Sequence, residues 1–203
     1  FNVSVLQGTT GSGKTLVYFE RIKKIIDKNK QALVLLPEIF LTNEFKSRFE
    51  DFFGYEPAIW HSKITPKKKR IIWKGIIQNK IKLVVGARSA LLLPFKNLGI
   101  IIVDEEHDTS YKQDEGVIYN ARDMAISRAS LEKIPINLVT SIPSVETYNN
   151  IQTRKFRHVN ILNRFNNYPL PKTKIINLNI NKKKDQFISD ETITQVNKFL
   201  KKK

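Results

Sequence analysis

Apolar residues along this chain occur in two textures. Unbroken runs at Ala32 to Leu36, Leu83 to Val85 and Ile100 to Val103 are what strands covered on both faces look like, and shorter apolar clusters at Val3 to Leu6, Ala58 to His61 and Ile136 to Val139 read as further strands. Between them apolar positions recur every three or four residues. Val17, Ile22, Ile25 and Ile26 predict a helix from Leu16 to about Asp27. Phe40, Leu41, Phe45, Phe49 and Phe52 predict one over Phe40 to Phe53, ended by Gly54. A third is capped by Thr65, opened by Pro66, and turns Ile71, Ile72, Ile76 and Ile77 inward. A fourth spans Asn120 to Leu131. Strand and helix alternate with no hairpin-turn signal, which predicts an α/β fold: a mostly parallel sheet with helices on both faces. Ligands in that architecture sit beyond the carboxyl ends of the strands.

The stretch directly after the first strand is Gly8, Thr9, Thr10, Gly11, Ser12, Gly13, Lys14 and Thr15, which reads as GxxxxGKT. Glycines let successive backbone N–H groups turn inward around an anion, and lysine supplies a mobile charge for the outer phosphates. The Thr15 hydroxyl is the expected Mg²⁺ ligand. The helix that follows points the positive end of its dipole at the same place. The strand, loop and helix context of a nucleoside triphosphate site is therefore complete.

A second motif releases carboxylates from the end of a buried strand: Asp104, Glu105, Glu106 and His107 follow Ile101-Ile102-Val103. Asp104 is the candidate partner of the same Mg²⁺ ion, directly or through water. Glu105, one residue on, is the candidate that orients and deprotonates the attacking water.

Composition adds bounds. The 203 residues carry a net charge of +16 with a pI near 9.9, which fits a phosphate-backbone partner, although heavy use of Lys, Ile and Asn would raise the charge without one. There is no cysteine, so no disulfide or thiolate metal site can form within these residues. No apolar run is long enough to span a bilayer, so no membrane partner is expected and a cytoplasmic setting is. Near Phe165 the texture shifts to Asn166, Asn167, Pro169 and Pro171, a linker in composition, followed by a strand at Lys174 to Ile180 and a helix near Asp190 to Leu200. Two segments are expected: one domain over 1–165, then a linker and the truncated start of a second over 166–203. There is no internal repeat. Because the phosphate loop follows so soon after Phe1, the chain is expected to be a piece of a longer protein.

The phosphate loop with Asp104-Glu105-Glu106-His107 resembles the superfamily 2 helicases of the DExH type. Further segments narrow the resemblance: Val17-Tyr18, Leu36-Pro37-Glu38-Ile39 with Leu41-Thr42, His61-Ser62, and Gly86 with Arg88-Ser89-Ala90 and Pro94-Phe95. With them go Asp108, Ser110-Tyr111-Lys112-Gln113, and Tyr119 with Ala121-Arg122-Asp123. Together they are similar to the PriA family of primosomal replication-restart helicases over nearly the whole chain. That resemblance implies a RecA-like P-loop NTPase lobe of an ATP-dependent 3′ to 5′ DNA helicase. Its cofactors would be ATP and Mg²⁺, and its partners single-stranded and forked DNA and the replication-restart primosome proteins. It implies that Pro37, Glu38, Arg88 and Ser89 lie along the single strand. It also implies that His107, Tyr111, Lys112, Gln113, Tyr119 and Arg122 contact DNA or report it to the ATP site. The family's N-terminal DNA-binding module, its zinc insertion and the second lobe's arginine finger would lie outside this chain, with zinc expected only there. The isolated chain is expected to bind ATP and DNA weakly and to hydrolyse little.

One segment departs from the family pattern. Where that pattern reads Ser-Ala-Thr-Pro-Ser, this chain has Thr140-Ser141-Ile142-Pro143-Ser144. Ile142 has no hydroxyl to offer the carboxylate segment. Coupling of hydrolysis to movement is the property this places in question. Two other readings stay open: a different DExH motor, such as an RNA helicase or a restriction-enzyme translocase, and a nucleotide-responsive DNA-binding module without turnover.

Overall fold

The computed structural model describes residues 1–167, 169, 173, 175–176 and 188–200. They divide into two units, Phe1–Tyr168 and Pro169–Lys203. The first unit is built on seven parallel strands: β1 (Val3–Gly8), β2 (Gln31–Leu35), β3 (Ala58–Trp60), β4 (Leu83–Gly86), β5 (Leu98–Asp104), β8 (Ile136–Thr140) and β9 (Arg157–Ile161). Their order across the sheet is β3-β4-β2-β5-β8-β1-β9, and every neighbouring pair runs parallel. All carboxyl ends therefore share one edge.

Alternation along the buried strands feeds two cores. Ala32, Val34, Ile100, Ile102 and Val139 pack with Tyr18, Phe19 and Ile22 of α1 (Lys14–Ile26) and Phe49 of α2 (Asn43–Phe53). Leu33, Leu35, Ile101, Val103, Ile136 and Leu138 face the other way. They meet Ile76 of α3 (Pro66–Ile77) and Ala121, Ala125 and Ala129 of α4 (Ala121–Leu131). The alanines at four-residue spacing let α4 lie close to the sheet. An eight-residue helix, α5 (Val145–Gln152), begins at Ser144 and leads to β9.

Several expectations are corrected. The inner face of α1 is Tyr18, Phe19 and Ile22, whereas Val17 points outward; on α3, Ile72 and Ile76 face the core while Ile71 and Ile77 are exposed. The helix read from Phe40 begins at Asn43, capped by the Thr42 hydroxyl, because Glu38–Phe40 forms a separate 3-10 turn. A hairpin not expected from the hydrophobic pattern is present: β6 (Lys112–Gln113) pairs antiparallel with β7 (Tyr119–Asn120). Its loop turns at Gly116, φ 70°, and the Gln113 amide donates to the carbonyls of Glu115 and Val117. In the second unit the helix α6 (Asp190–Leu200) is present. The strand expected at Lys174 to Ile180 lies outside the described residues except at 175–176, which are irregular.

The α1–α2 contact is mostly aromatic. The fully buried Phe19 ring lies 5.1 to 6.1 Å from the rings of Tyr18, Phe45, Phe49, Phe52 and Phe53. Phe19→Ala is expected to destabilise the fold by about 3–5 kcal/mol, from lost burial plus the cavity left behind. Urea unfolding measures it; a loss below about 1 kcal/mol would show that these rings are not packed as described.

Candidate active site

Three features converge at the carboxyl edge of the sheet. β1 ends at Gly8, and the loop then turns through Gly11 (φ 81°) and Gly13 (φ 86°), conformations that a side chain would strain. A Cβ on Gly8 would stand 2.5 Å from Ser12 Oγ. Lys14 opens α1 and is buried; its Nζ donates to Gly8 O at 2.6 Å and Thr9 O at 3.3 Å, spanning the loop from inside. Ser12 Oγ is buried with no hydrogen-bond partner. An ammonium resting on carbonyls, an orphaned hydroxyl and a helix start together form a donor set that fits a phosphate. The loop forms one wall of a cleft of about 730 Å³ that also contains Thr15, Asp104 and Glu105.

β5 delivers the carboxylates. Asp104, its last residue, is buried; Oδ2 accepts from the Tyr18 hydroxyl at 2.9 Å and Oδ1 from the Glu105 N–H at 3.0 Å. Burial pushes its pKa up to about 6, an effect that the Tyr18 bond opposes and the Glu105 charge reinforces. Burial likewise holds the Tyr18 phenol well above its ordinary value, so Tyr18 remains a donor. Glu105 adopts φ 48°, an uncommon conformation for a residue with a side chain, and lines the cleft.

Glu106 turns the other way and is enclosed by protein. Its Oε1 accepts from the Ser144 N–H at 2.8 Å. Its Oε2 accepts from the Ser144 hydroxyl at 2.9 Å, the Thr147 hydroxyl at 2.9 Å and Arg122 Nη1 at 3.3 Å. His107 Nδ1 lies 2.8 Å from Thr140 Oγ1, whose own hydrogen is donated to Ile142 O at 2.7 Å. The histidine is therefore the donor in that contact. Ile142 itself is 72% exposed. The carboxylate segment is thus held from this strand end by Thr140 and Ser144, on either side of the position where the family pattern has threonine.

A second groove, of about 210 Å³, opens along the same edge and collects Pro37, Glu38, Arg88, Ser110 and Tyr111. Arg88 Nη1 donates to Lys112 O at 2.6 Å, and Ser62 Oγ to Glu38 Oε1 at 3.2 Å. Ser89 is exposed beside Arg88, and Lys112 is exposed, with Gln113 and Tyr119 half-buried in the hairpin. Tyr111 and Arg122 are both buried. The Tyr111 hydroxyl stands between two main-chain carbonyls, Asp104 O at 2.6 Å and Leu35 O at 2.9 Å. The polar ends of these two side chains are bonded within the lobe in this arrangement.

The DEAD/DEAH box helicase profile matches residues 2–144, which span the phosphate loop, the carboxylates and Ser144. The chain belongs to the DEAD/DEAH box helicase family. Along 175 residues, 86% of its length, it is 49% identical to the replication restart protein PriA of Rickettsia felis, and along 176 residues, 87%, it is 40% identical to that of Bacillus subtilis. It spans 27% and 22% of those two relatives, about a quarter of their length. Among solved structures it resembles RecG bound to a three-way DNA junction (TM-score 0.55, 21% identity, 78% of this chain and 20% of that one). It also resembles the Hef helicase domain of Pyrococcus furiosus (TM-score 0.56, 20% identity, 78% and 35%). At these identities the structural likeness establishes the RecA-like helicase fold.

Sequence reasoning gave no role to the residues that hold the DEAD/DEAH segment from behind. Tyr18 enters there only beside Val17 in the family resemblance, with nothing that ties it to Asp104. Ser144 enters as the end of the segment that departs from the family pattern, with the hydroxyl sought at position 142, and Thr147 carries no signal for Glu106.

The Asp104 shift has a measurable consequence. A carboxyl whose folded pKa lies near 6, above its ordinary 3.8, binds its proton more tightly folded than unfolded. Stability from this group is thus full below about pH 4, falls as pH rises through the interval to 6, and stays lost above it. In metal-free buffer Asp104→Asn is expected to be the more stable protein at pH 7.5, by on the order of 2–3 kcal/mol, with the advantage shrinking toward pH 4. Denaturant unfolding at both pH values checks it, and a destabilised variant at pH 7.5 would show that the charged carboxylate is already compensated.

Proposed function

We propose that this chain is the ATP-binding lobe of an ATP-dependent 3′ to 5′ DNA helicase that restarts stalled replication forks and promotes primosome assembly. The supporting observation is the placement of Lys14, Thr15, Asp104 and Glu105 around one cleft, with Pro37, Glu38 and Arg88 in a groove on the same sheet edge. Similarity to PriA proteins over most of the chain supplies the biological context, and RecG bound to a DNA junction shows the same fold beside DNA.

In this reading the glycine loop and Lys14 bind the triphosphate. Lys14 exchanges the carbonyls of Gly8 and Thr9 for phosphate oxygens, and Ser12 gains an acceptor. Thr15 and Asp104 would hold Mg²⁺, which neutralises charge developing on the phosphates. The residues present fit that ion. Asp104 is buried with two hydrogen bonds and no ion pair, and no cluster of three or more His, Cys, Asp or Glu occurs among the described residues. One carboxylate and one hydroxyl are what Mg²⁺ needs when the substrate supplies the rest. Glu105 accepts a proton from the attacking water. The groove contacts the sugar-phosphate backbone of a single strand, which suits a motor that passes over any sequence. No described helix is long and apolar enough to cross a membrane, and we place the lobe in the cytoplasm with the replication machinery.

Ile142 favours a second reading, a nucleotide-responsive module without turnover. Thr140 and Ser144 already hold His107 and Glu106, which weighs toward an active motor. The test uses the longer protein carrying a second lobe, with forked DNA and with RNA. Lys14→Ala is expected to weaken ATP binding at least about 10-fold. Glu105→Gln is expected to bind ATP normally and to lower DNA-stimulated hydrolysis by about 10²- to 10⁴-fold. Identical turnover in all three proteins would leave only the binding role, and preferential stimulation by RNA would favour a different motor. Residues 1–203 alone are expected not to unwind a duplex.

A further inference from the structure

The cleft contains a large aromatic ring for which the phosphate chemistry has no use. β9 pairs with β1 on the side opposite β8 and β5, and the chain leaving β9 returns across the phosphate loop. There the Phe165 N–H donates to Gly11 O at 3.0 Å and Arg164 Nε to Thr10 O at 3.1 Å. The Arg164 guanidinium lies so near that a Cβ on Gly11 would stand 3.0 Å from it. The Phe165 backbone is thus tied to the loop, yet its ring is 65% exposed and lines the cleft. Leu16, in the first turn of α1, lines the same cleft and is also exposed. Apolar surface of this kind, open to water in a charged cleft, gains free energy when a flat apolar body covers it.

We propose that Phe165 stacks on the nucleobase of the bound nucleoside triphosphate, with Leu16 as the second apolar contact. The inference rests on the ATP reading of the cleft. Asp104, the last residue of β5, and Glu105 just beyond it take the terminal phosphate, on the β8 side of the loop. A triphosphate laid across the loop from there carries its ribose and base toward the side of β9, where Phe165 is fixed. Stacking uses the π face that every base has, so this contact raises affinity without choosing among bases. It also links the occupied nucleotide site to residues 164–165, close to the end of the first unit.

Binding of ATP and of inorganic tripolyphosphate, measured side by side, tests the proposal. Phe165→Ala is expected to weaken ATP binding on the order of 10-fold and to leave tripolyphosphate binding unchanged, while Phe165→Trp binds ATP at least as tightly as the unsubstituted chain. Lys14→Ala is expected to weaken both ligands. If Phe165→Ala binds ATP as tightly as the unsubstituted chain while Lys14→Ala does not, the stacking proposal falls and the ATP reading stands. Equal weakening of ATP and tripolyphosphate by Phe165→Ala also overturns it, because the residue would then act on the loop and not on a base. If the unsubstituted chain binds neither ligand, both readings fall together.

Discussion

Two buried carboxylates two residues apart, Asp104 at the end of β5 and Glu106 just beyond it, set the terms for the rest of this lobe. A carboxylate removed from water must find partners or give up its charge. Glu106 finds four donors, from Ser144 twice, Thr147 and Arg122, and these come from α4, α5 and the turn before α5. Asp104 finds two, Tyr18 and its own neighbour's N–H, and is left with a raised pKa. One acid is completed by the protein and acts as a structural post. The other is left short of partners beside the phosphate loop, where a cation can complete it.

The same arrangement joins the cleft to the neighbouring groove by direct bonds. The single Tyr111 hydroxyl lies within hydrogen-bond distance of the carbonyls of Asp104 and Leu35, at the ends of β5 and β2. The next residue, Lys112, opens the hairpin, and its carbonyl accepts from Arg88. The hairpin's far strand ends at Asn120, whose side chain caps α4 through the Arg122 N–H, and Arg122 returns to Glu106. The hairpin is therefore anchored at both of its ends to the carboxylate segment. Contacts from the groove side of the lobe therefore reach both Asp104 and Glu106.

Legibility from sequence followed burial on both faces. β2, β4 and β5 read clearly because a strand covered by helices on each side must be apolar throughout. The phosphate loop reads clearly because its glycines and lysine match every fixed position of the motif between a strand and a helix. β9 is not legible in the sequence, since it is an edge strand whose Arg157, His158 and Asn160 face water. The hairpin strands are two residues each, too short for alternation to register. Helix faces were misassigned at Val17, Ile71 and Ile77, where isoleucine and valine are common on both faces and identity alone does not report direction. Tyr111 and Arg122 look like surface residues in sequence, and only the fold shows that their polar ends are satisfied inside.

Lys14 and Ser12 wait on a phosphate that the loop is built to hold. A crystal structure of this chain with ADP and Mg²⁺ tests this most directly. Lys14 Nζ is expected to have left Gly8 O and Thr9 O for phosphate oxygens, and Asp104 to have acquired the metal on the side away from Tyr18. Nucleotide bound elsewhere, or bound in the cleft with Lys14 still on the loop carbonyls, would contradict it.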